Sequence, residues 1–376
     1  MVNVMSEGCQ LMVPLISLVV TLGFVSGFIL FRKATIPSAP QQNSQPRSIS
    51  VIIPARNEEL NLPELLASLS RQTLKPIEVI VVDDHSQDRT RELAESFGVI
   101  VIASPELPEG WTGKSWALWN GYLRSSGDIL IFLDADVRLA DTAIASLVAE
   151  QQKQGGAMSV VPYHITVKFY EKFAMMLNVL GAFTFTSPFE QRNPRKGLYG
   201  PCIIATREDY ERIGGHEQIR SKITDDLSLG GKFQEAGIKV SNYLGGDLIS
   251  YRMYPGGFKS ELEGFAKSAM LSTSLLHPLT LTSAILWIIG LIVTQGWFLA
   301  IGHAALIPMC IGYILYVAEI YYINRLVGRF GIIHQIFPIL SVLFFLVVIG
   351  YSLFQSHITK KVIWKGRTID VGGNPS

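Results

Sequence analysis

The sequence predicts an α/β domain built on a parallel sheet, bracketed by long apolar helices. Three observations predict it. Short β-branched and apolar runs (Val51–Ile53, Val79–Val82, Ile129–Leu133) alternate with segments of helical periodicity. The links between them are short, as in strand–helix–strand crossovers that build parallel sheets. Outside residues 49–250, the apolar residues gather in uncharged runs near the roughly 20 residues a bilayer-spanning helix needs.

Composition narrows the function classes. The chain has 376 residues, 48% of them hydrophobic, and a formal net charge of +1. Near-neutral charge gives no electrostatic footprint for nucleic acid. Cys9, Cys202 and Cys310 lie far apart and share no ligand-like spacing, so neither a disulfide framework nor a zinc site is indicated. No solenoid-length repeat recurs.

In order along the chain, residues 1–33 hold an N-terminal anchor. Leu11 to Phe31 is apolar and uncharged, preceded by Glu7 and followed by Arg32 and Lys33, which places the next domain in the cytoplasm. Residues 34–48, rich in Pro, Gln and Ser, read as a linker. The α/β domain follows at 49–250. A strand at Ser50–Pro54 leads to a helix starting near Asn61, a good cap, with Pro63 in its first turn. Glu78–Val82 is the second strand, and a helix from about Asp88 to Phe97 stops at Gly98. Val99–Ile102 and Ile129–Leu133 are the third and fourth strands, and a further strand enters Arg207 from Gly200.

Beyond the domain, residues 251–277 form an amphipathic interface segment, with Lys259, Glu261, Glu263 and Lys267 on its polar face. Residues 278–356 hold three more apolar runs, and the tail 357–376 carries Lys360, Lys361, Lys365 and Arg367. Three full crossings would put that basic tail outside, against the positive-inside rule. Ile332–Phe354, with His334 and Pro338 near its start, is therefore expected to be re-entrant or interfacial. An earlier apolar stretch, Phe169 to Phe185, fits a core or interfacial helix.

Four groups of residues within the domain carry chemistry. Asp83-Asp84 end the second strand, and Asp134-Ala135-Asp136 end the fourth. In extended chain, residues two apart point the same way, so Asp134 and Asp136 can present two carboxylates to a hard cation; the bland alternative is a solvated turn. Gly113-Lys114-Ser115 opens a helix with a lysine and free amides suited to a diphosphate, although the Walker glycine spacing is absent and an ordinary helix start reads the same way. Asp225-Asp226 stand at another helix start, where they could equally serve as caps. His216, after Gly214-Gly215, is as readily a structural histidine as a ligand.

Taken together and in this order, the four groups resemble the family-2 glycosyltransferases of GT-A (Rossmann-like) fold, from Val51-Ile52-Ile53-Pro54-Ala55-Arg56-Asn57-Glu58-Glu59 to about Leu229. Pro162-Tyr163-His164-Ile165-Thr166, Gly214-Gly215-His216, Arg252-Met253-Tyr254 and Trp364-Lys365-Gly366-Arg367 further resemble the membrane-bound members that act on carotenoid acids.

The resemblance implies an inverting, metal-dependent hexosyltransferase in carotenoid biosynthesis, multi-pass in the cell membrane. Its donor would be a nucleotide sugar, UDP-glucose being typical. Its acceptor would be the carboxylate of a C30 carotenoid, 4,4'-diaponeurosporenoate, or another lipid such as a hopanoid, diacylglycerol or polyprenyl phosphate. Pro54, Ala55 and Glu58 would line the nucleotide pocket, with Asp83 or Asp84 accepting from the base. Lys114 would neutralise the diphosphate, Asp134 would contact sugar or ribose, and Asp136 would hold Mg or Mn. Asp226 would be the general base, with Asp225 beside it, and His164 or Arg252 could meet an acceptor carboxylate.

Where many membrane-bound members carry QxxRW, this chain has Glu261-Leu262-Glu263-Gly264-Phe265. That departure argues for transfer of a single sugar rather than processive synthesis. A non-catalytic membrane scaffold is the reading from a different class, and the intact Lys114, Asp136 and Asp226 speak against it.

Overall fold

The computed structural model describes residues 2–38, 47–193, 195–222, 224–272, 276–355, 361–364 and 367–370. Residues 39–46 of the linker, and Lys360, Lys365 and Gly366 of the tail, lie outside the described residues. In chain order the helices are α1 (Val2–Leu30), α2 (Leu62–Ser70), α3 (Thr90–Ser96), α4 (Gly113–Arg124), α5 (Ala143–Gln154), α6 (Met175–Thr186), α7 (Arg207–Arg212), α8 (Asp225–Glu235), α9 (Phe258–Ser272), α10 (Pro278–Gln295), α11 (Leu306–Val327), α12 (Ile332–Ile336) and α13 (Ile339–Phe354). The strands are β1 (Ile49–Ala55), β2 (Glu78–Asp83), β3 (Ile100–Ala103), β4 (Ile129–Leu133), β5 (Val137–Leu139), β6 (Ala157–Val161), β7 (Tyr163–Ile165), β8 (Cys202–Thr206), β9 (Val240–Leu244), β10 (Ile249–Tyr251) and β11 (Gly328–Arg329). Lys361–Trp364 and Arg367–Asp370 pair as a terminal hairpin.

The main sheet runs β3-β2-β1-β4-β8-β6-β9. Its first four strands are mutually parallel, as the short crossovers require. The other half is mixed, because β8 runs antiparallel to both β4 and β6. The parallel sheet expected from the first four strands therefore does not extend past β4: β8, reached through β7 and α6, enters the sheet from the opposite end. All five residues of β4 are buried. Ile129, Ile131 and Leu133 face α2 and α5, whereas Leu130 and Phe132 face the side holding Leu118 of α4 and Phe233 of α8. Burial on both faces is what a continuous apolar strand requires.

A second sheet runs β11-β7-β10-β5. It ties the domain to the apolar helices, since β11 follows α11 directly and pairs with β7. The expected helix over Phe169–Phe185 is a 3-10 turn (Tyr170–Ala174) followed by α6. Met175, Met176, Val179 and Phe183 of α6 share one core with Trp287 of α10, Ile320 of α11 and Phe344 of α13. Phe183 and Trp287 meet edge to face at 5.1 Å, so α6 is a core helix joining domain and bundle.

Among the described residues three helices are long and apolar enough to cross a membrane: Met12–Leu30, Pro278–Gln295 and Leu306–Val327. The run expected over Ile332–Phe354 is broken at Phe337-Pro338, and α13 has 16 residues. Three local expectations change. Asn61 precedes α2 but makes no side-chain cap and instead donates to Glu58 Oε2 at 2.9 Å. Ala34–Ile36 of the linker lies against β9, with Ile36 buried and Leu244 N–H donating to Ala34 O at 2.6 Å. Glu261 belongs to no polar face: it is only 1% exposed, turned under α9.

Candidate active site

The carboxyl ends of β1, β2 and β4 form one rim. Ala55 pairs with Asp83, and β4 lies on the other side of β1, ending one residue before Asp134. Neighbouring strands are about 4.8 Å apart, so acidic residues from both strand ends crowd this rim. Asp134 N–H donates to Pro201 O (3.0 Å), and Val137 N–H donates back to Asp134 O (3.2 Å). Asp134-Ala135-Asp136 is thus a tight turn rather than extended chain, which corrects the reasoning from strand geometry. The two carboxylates are still the half-buried residues flanking a buried Ala135.

Lys114 reaches the rim from the first turn of α4. Thr112 caps that helix, its Oγ1 accepting from Ser115 N–H at 3.4 Å, while Thr112 N–H donates to Arg220 O at 2.8 Å. Gly121 lets α4 lie close on the sheet, since a Cβ there would stand 2.5 Å from Ile52 Cγ2. Lys114 Nζ lies 2.7 Å from Asp134 Oδ1. Across the pocket stand Asp225 and Asp226 in the first turn of α8. Asp226 Oδ2 accepts from Gly200 N–H at 3.0 Å, and its Oδ1 accepts from Leu227 N–H at 2.8 Å. Gly200 is required for this approach: a Cβ would meet Asp226 Oδ2 at 2.8 Å. Lys114, Leu118, Phe132, Asp134, His216, Asp225 and Asp226 line one cleft.

The charges in that cleft shape one another. Burial alone would depress the Lys114 ammonium, but Asp134, Asp225 and Asp226 hold it above the ordinary lysine range. Burial, with the like charge of Asp225, pushes Asp226 up to about 6, against the opposing pull of Lys114. Tyr199 is pushed up to about 12 by burial, with the charges of Asp226, Asp136 and Asp134 adding to it. Burial also raises Tyr251 and Tyr254, and Asp136 contributes to both.

Among the described residues no group of three His, Cys, Asp or Glu side chains gathers as a cation site. The donor set at the turn instead fits a hard cation that takes one or two carboxylates from protein and the remainder from diphosphate and water. Asp136 is half-buried at this turn. Its carbonyl accepts from Arg252 N–H at 3.3 Å, which pins the turn to the second sheet.

Toward the outer strands, the segments after β1 and β2 are laced together. Asp83 Oδ1 accepts from Ser86 N–H (3.1 Å), and Arg56 Nη1 donates to Asp84 O at 2.8 Å. Asn57 N–H donates to Ser86 Oγ at 3.0 Å, Gln87 N–H to Asn57 Oδ1 at 2.9 Å, and Glu58 N–H to Thr90 Oγ1 at 2.7 Å. Asn57 and His85 hold left-handed backbone at φ 53° and 56°, an ordering cost these bonds offset. Pro54 and Glu58 are half-buried here, while Ala55, Asp83 and Asp84 are buried.

Two residues singled out in the sequence do not reach the cleft. His164 is 1% exposed, its ring packed 5.0 Å from Tyr251 and 5.4 Å from Phe330, and burial lowers its pKa to about 4. The Arg252 guanidinium is paired at 2.8 Å with Glu171, whose side chain is fully buried. His164 is thus packed into an aromatic wall, and Arg252 is held in an ion pair. The structure adds residues that sequence reasoning passed over. Tyr199 Oη, Tyr251 Oη and Asn178 Oδ1 form a chain at 3.1 and 3.0 Å, running from the residue before Gly200 to α6. No periodicity marks these residues.

Residues 50–214 match the sequence model of "Glycosyl transferase family 2". The chain is 36% identical over 364 residues to the 4,4'-diaponeurosporenoate glycosyltransferase of Staphylococcus haemolyticus (strain JCSC1435), covering 93% of this chain and 96% of that one. It is 31% identical over 367 residues to the protein of the same name from Staphylococcus aureus (strain USA300), covering 95% and 97%. Among solved structures, the mannosyltransferase PcManGT from Pyrobaculum calidifontis, in complex with GDP-Man and Mn2+, has a TM-score of 0.51 at 19% identity, covering 87% of this chain and 97% of that one. That likeness shows the GT-A fold.

Proposed function

The chain belongs to glycosyl transferase family 2 and is a glycosyltransferase, and we propose that it moves one glucose from UDP-glucose to the carboxylate of a C30 carotenoid acid. The observation that carries this reading is the cleft. Lys114, paired with Asp134, faces Asp225 and Asp226 on a domain whose floor is fused to apolar helices through α6. The acceptor class follows from the two relatives, whose names specify 4,4'-diaponeurosporenoate.

The geometry supports a single displacement. An acceptor carboxylate oxygen attacks the anomeric carbon as the bond to the diphosphate oxygen breaks, and the bonding pair leaves with the nucleoside diphosphate. One displacement inverts the centre. No proton need move, because a carboxylic acid of pKa about 4 is ionised at neutral pH. Lys114 offsets the charge growing on the diphosphate. Asp134 holds Lys114 in place and contacts sugar or ribose; Asp83 or Asp84 accepts from the base, beside Pro54, Ala55 and Glu58. A divalent cation, Mg or Mn, held by Asp136 would supply Lewis-acid charge to the same diphosphate.

A second reading, transfer to a lipid hydroxyl, draws on Asp226. A carboxylate pushed up to about 6 is a competent base near neutral pH, and a hydroxyl needs one. Extracted pigment and lipid from cells with and without the gene decide between them. Loss of a glycosylated carotenoid supports the carboxylate reading, and unchanged pigment with loss of a glycolipid supports the other.

The same proposal places the domain on the cytoplasmic side, where Arg32 and Lys33 follow α1. The short, Pro-broken α12–α13 segment then returns the basic tail to that side. A cysteine introduced into the tail should react with impermeant reagent only after cells are opened. Labelling of intact cells would reverse the assignment.

A further inference from the structure

His216 lines the cleft but has no part in the chemistry above. Its position is built with care. Gly214 and Gly215 take left-handed backbone at φ 72° and 55°, opening the 3-10 turn Gly215–Ile219. Gly215 must lack a side chain, since a Cβ would stand 2.5 Å from the Tyr210 ring and 2.9 Å from Trp119. The turn lays the imidazole edge-on to Phe132 of β4, with centroids 5.3 Å apart.

Tyr210 then fixes which nitrogen carries the proton. Its hydroxyl oxygen accepts from His216 N–H at 3.0 Å and lies 2.6 Å from His216 Nδ1. A phenol has one proton to give. Tyr210 is fully buried, and among the described residues its hydroxyl has no hydrogen-bond partner besides His216. The hydroxyl proton therefore points at Nδ1, which accepts, and the imidazole proton sits on Nε2. Burial, against the opposing charge of Asp225 and helped by that of Lys114, lowers His216 to about 4, so the ring is neutral at working pH. Nε2–H is the polar group the ring has left to offer the cleft it shares with Lys114, Asp225 and Asp226.

We propose that His216 is a donor-binding residue whose Nε2–H donates a hydrogen bond to an oxygen of the sugar nucleotide seated between Lys114 and Asp226. A neutral N–H suits this place. It binds phosphate or hydroxyl oxygen without setting a second cation beside Lys114, and the Tyr210 lock means no tautomer must be reorganised when the donor arrives. The inference rests on the reading of the cleft as the donor site.

The test measures UDP-glucose affinity and steady-state kinetics of the full-length, detergent-solubilised protein with His216→Phe, His216→Gln, Tyr210→Phe and Lys114→Ala. His216→Phe keeps a ring against Phe132 and removes the donor. It should weaken binding about tenfold, the loss of one hydrogen bond to a charged or buried oxygen. The loss should fall on KM rather than kcat, with the melting temperature near wild type. His216→Gln, which restores an N–H, should return to within about threefold. Tyr210→Phe frees the tautomer and should weaken binding by a smaller factor than His216→Phe.

Wild-type affinity in His216→Phe would overturn the proposal, as would His216→Gln binding no better than His216→Phe. Should the Phe variant not fold, full affinity in Tyr210→Phe overturns it, and weakened affinity there with rescue in the Gln variant supports it. If Lys114→Ala loses binding while His216→Phe does not, the donor cleft stands and this inference alone fails. If the wild type binds no sugar nucleotide, both fall together.

Discussion

Asp226 holds a divided position. Two backbone N–H groups favour its ionised form, yet burial and Asp225 push it up to about 6. A base works deprotonated, so with a hydroxyl acceptor kcat/KM should rise through about pH 6, and Asp226→Asn should abolish turnover by 100-fold or more. With a carboxylate acceptor the same variant should retain measurable turnover and show no limb near pH 6. A rate profile on the two acceptor types checks both. In the proposed function Asp136 and Lys114 serve the donor. Asp136→Ala should lose roughly 100-fold in kcat and lose its response to added Mn, in line with removing one group that offsets leaving-group charge. A variant that still responds to metal would take Asp136 out of that role.

The elements act through close backbone approaches. The stretch from Gly197 to Gly200 lies against the first turns of α8, and this contact aims Asp226. A Cβ on Gly230 would stand 2.6 Å from Leu198 N and 2.7 Å from Gly197 C, both backbone atoms that cannot rotate aside. Gly230→Ala should therefore cost about 1–3 kcal/mol of stability and lower kcat, because the loop bearing Gly200 must shift. Thermal unfolding and turnover, measured together, check this. Full activity with unchanged melting would show that the segment yields without moving Asp226. Here the helix and the loop were legible separately, from Gly-rich and acidic signals. Their contact was not, since it joins residues some thirty apart in the chain.

At the scale of the molecule, one buried acid marks the seam between domain and apolar helices. Glu261 is 1% exposed, and burial pushes it up to about 8, with the charge of Glu171 adding to it. Its folded-state pKa stands above the unfolded value of 4.5, so folding favours the protonated form. The stability Glu261 contributes is then full below pH 4.5 and is lost as pH rises toward about 8. Glu261→Gln should remove that slope and raise the melting temperature at pH 7.5 while leaving it unchanged at pH 4.5. Melting curves of the detergent-solubilised protein at the two pH values check it, and equal melting at both would show that Glu261 ionises freely.

The sequence by itself determined what is local. Strand β4 falls where its apolar run lies, α4 begins at Gly113, and acidic residues end β2 and follow β4, because periodicity and strand ends are read within a few residues. The order of four motifs was enough to indicate the family. Tertiary structure decided everything that depends on distant residues meeting. It reversed β8, turned Asp134-Ala135-Asp136 into a tight turn, and buried Glu261 where helical spacing had put it on a polar face. It sealed His164 against Phe330 and spent Arg252 on Glu171. It brought Tyr210 to the back of His216, which makes a histidine of undecided purpose into a fixed donor. The physical reason is common to all of these: local pattern sets which face of an element is apolar, but only packing decides what that face, or the lone polar group on it, finds opposite.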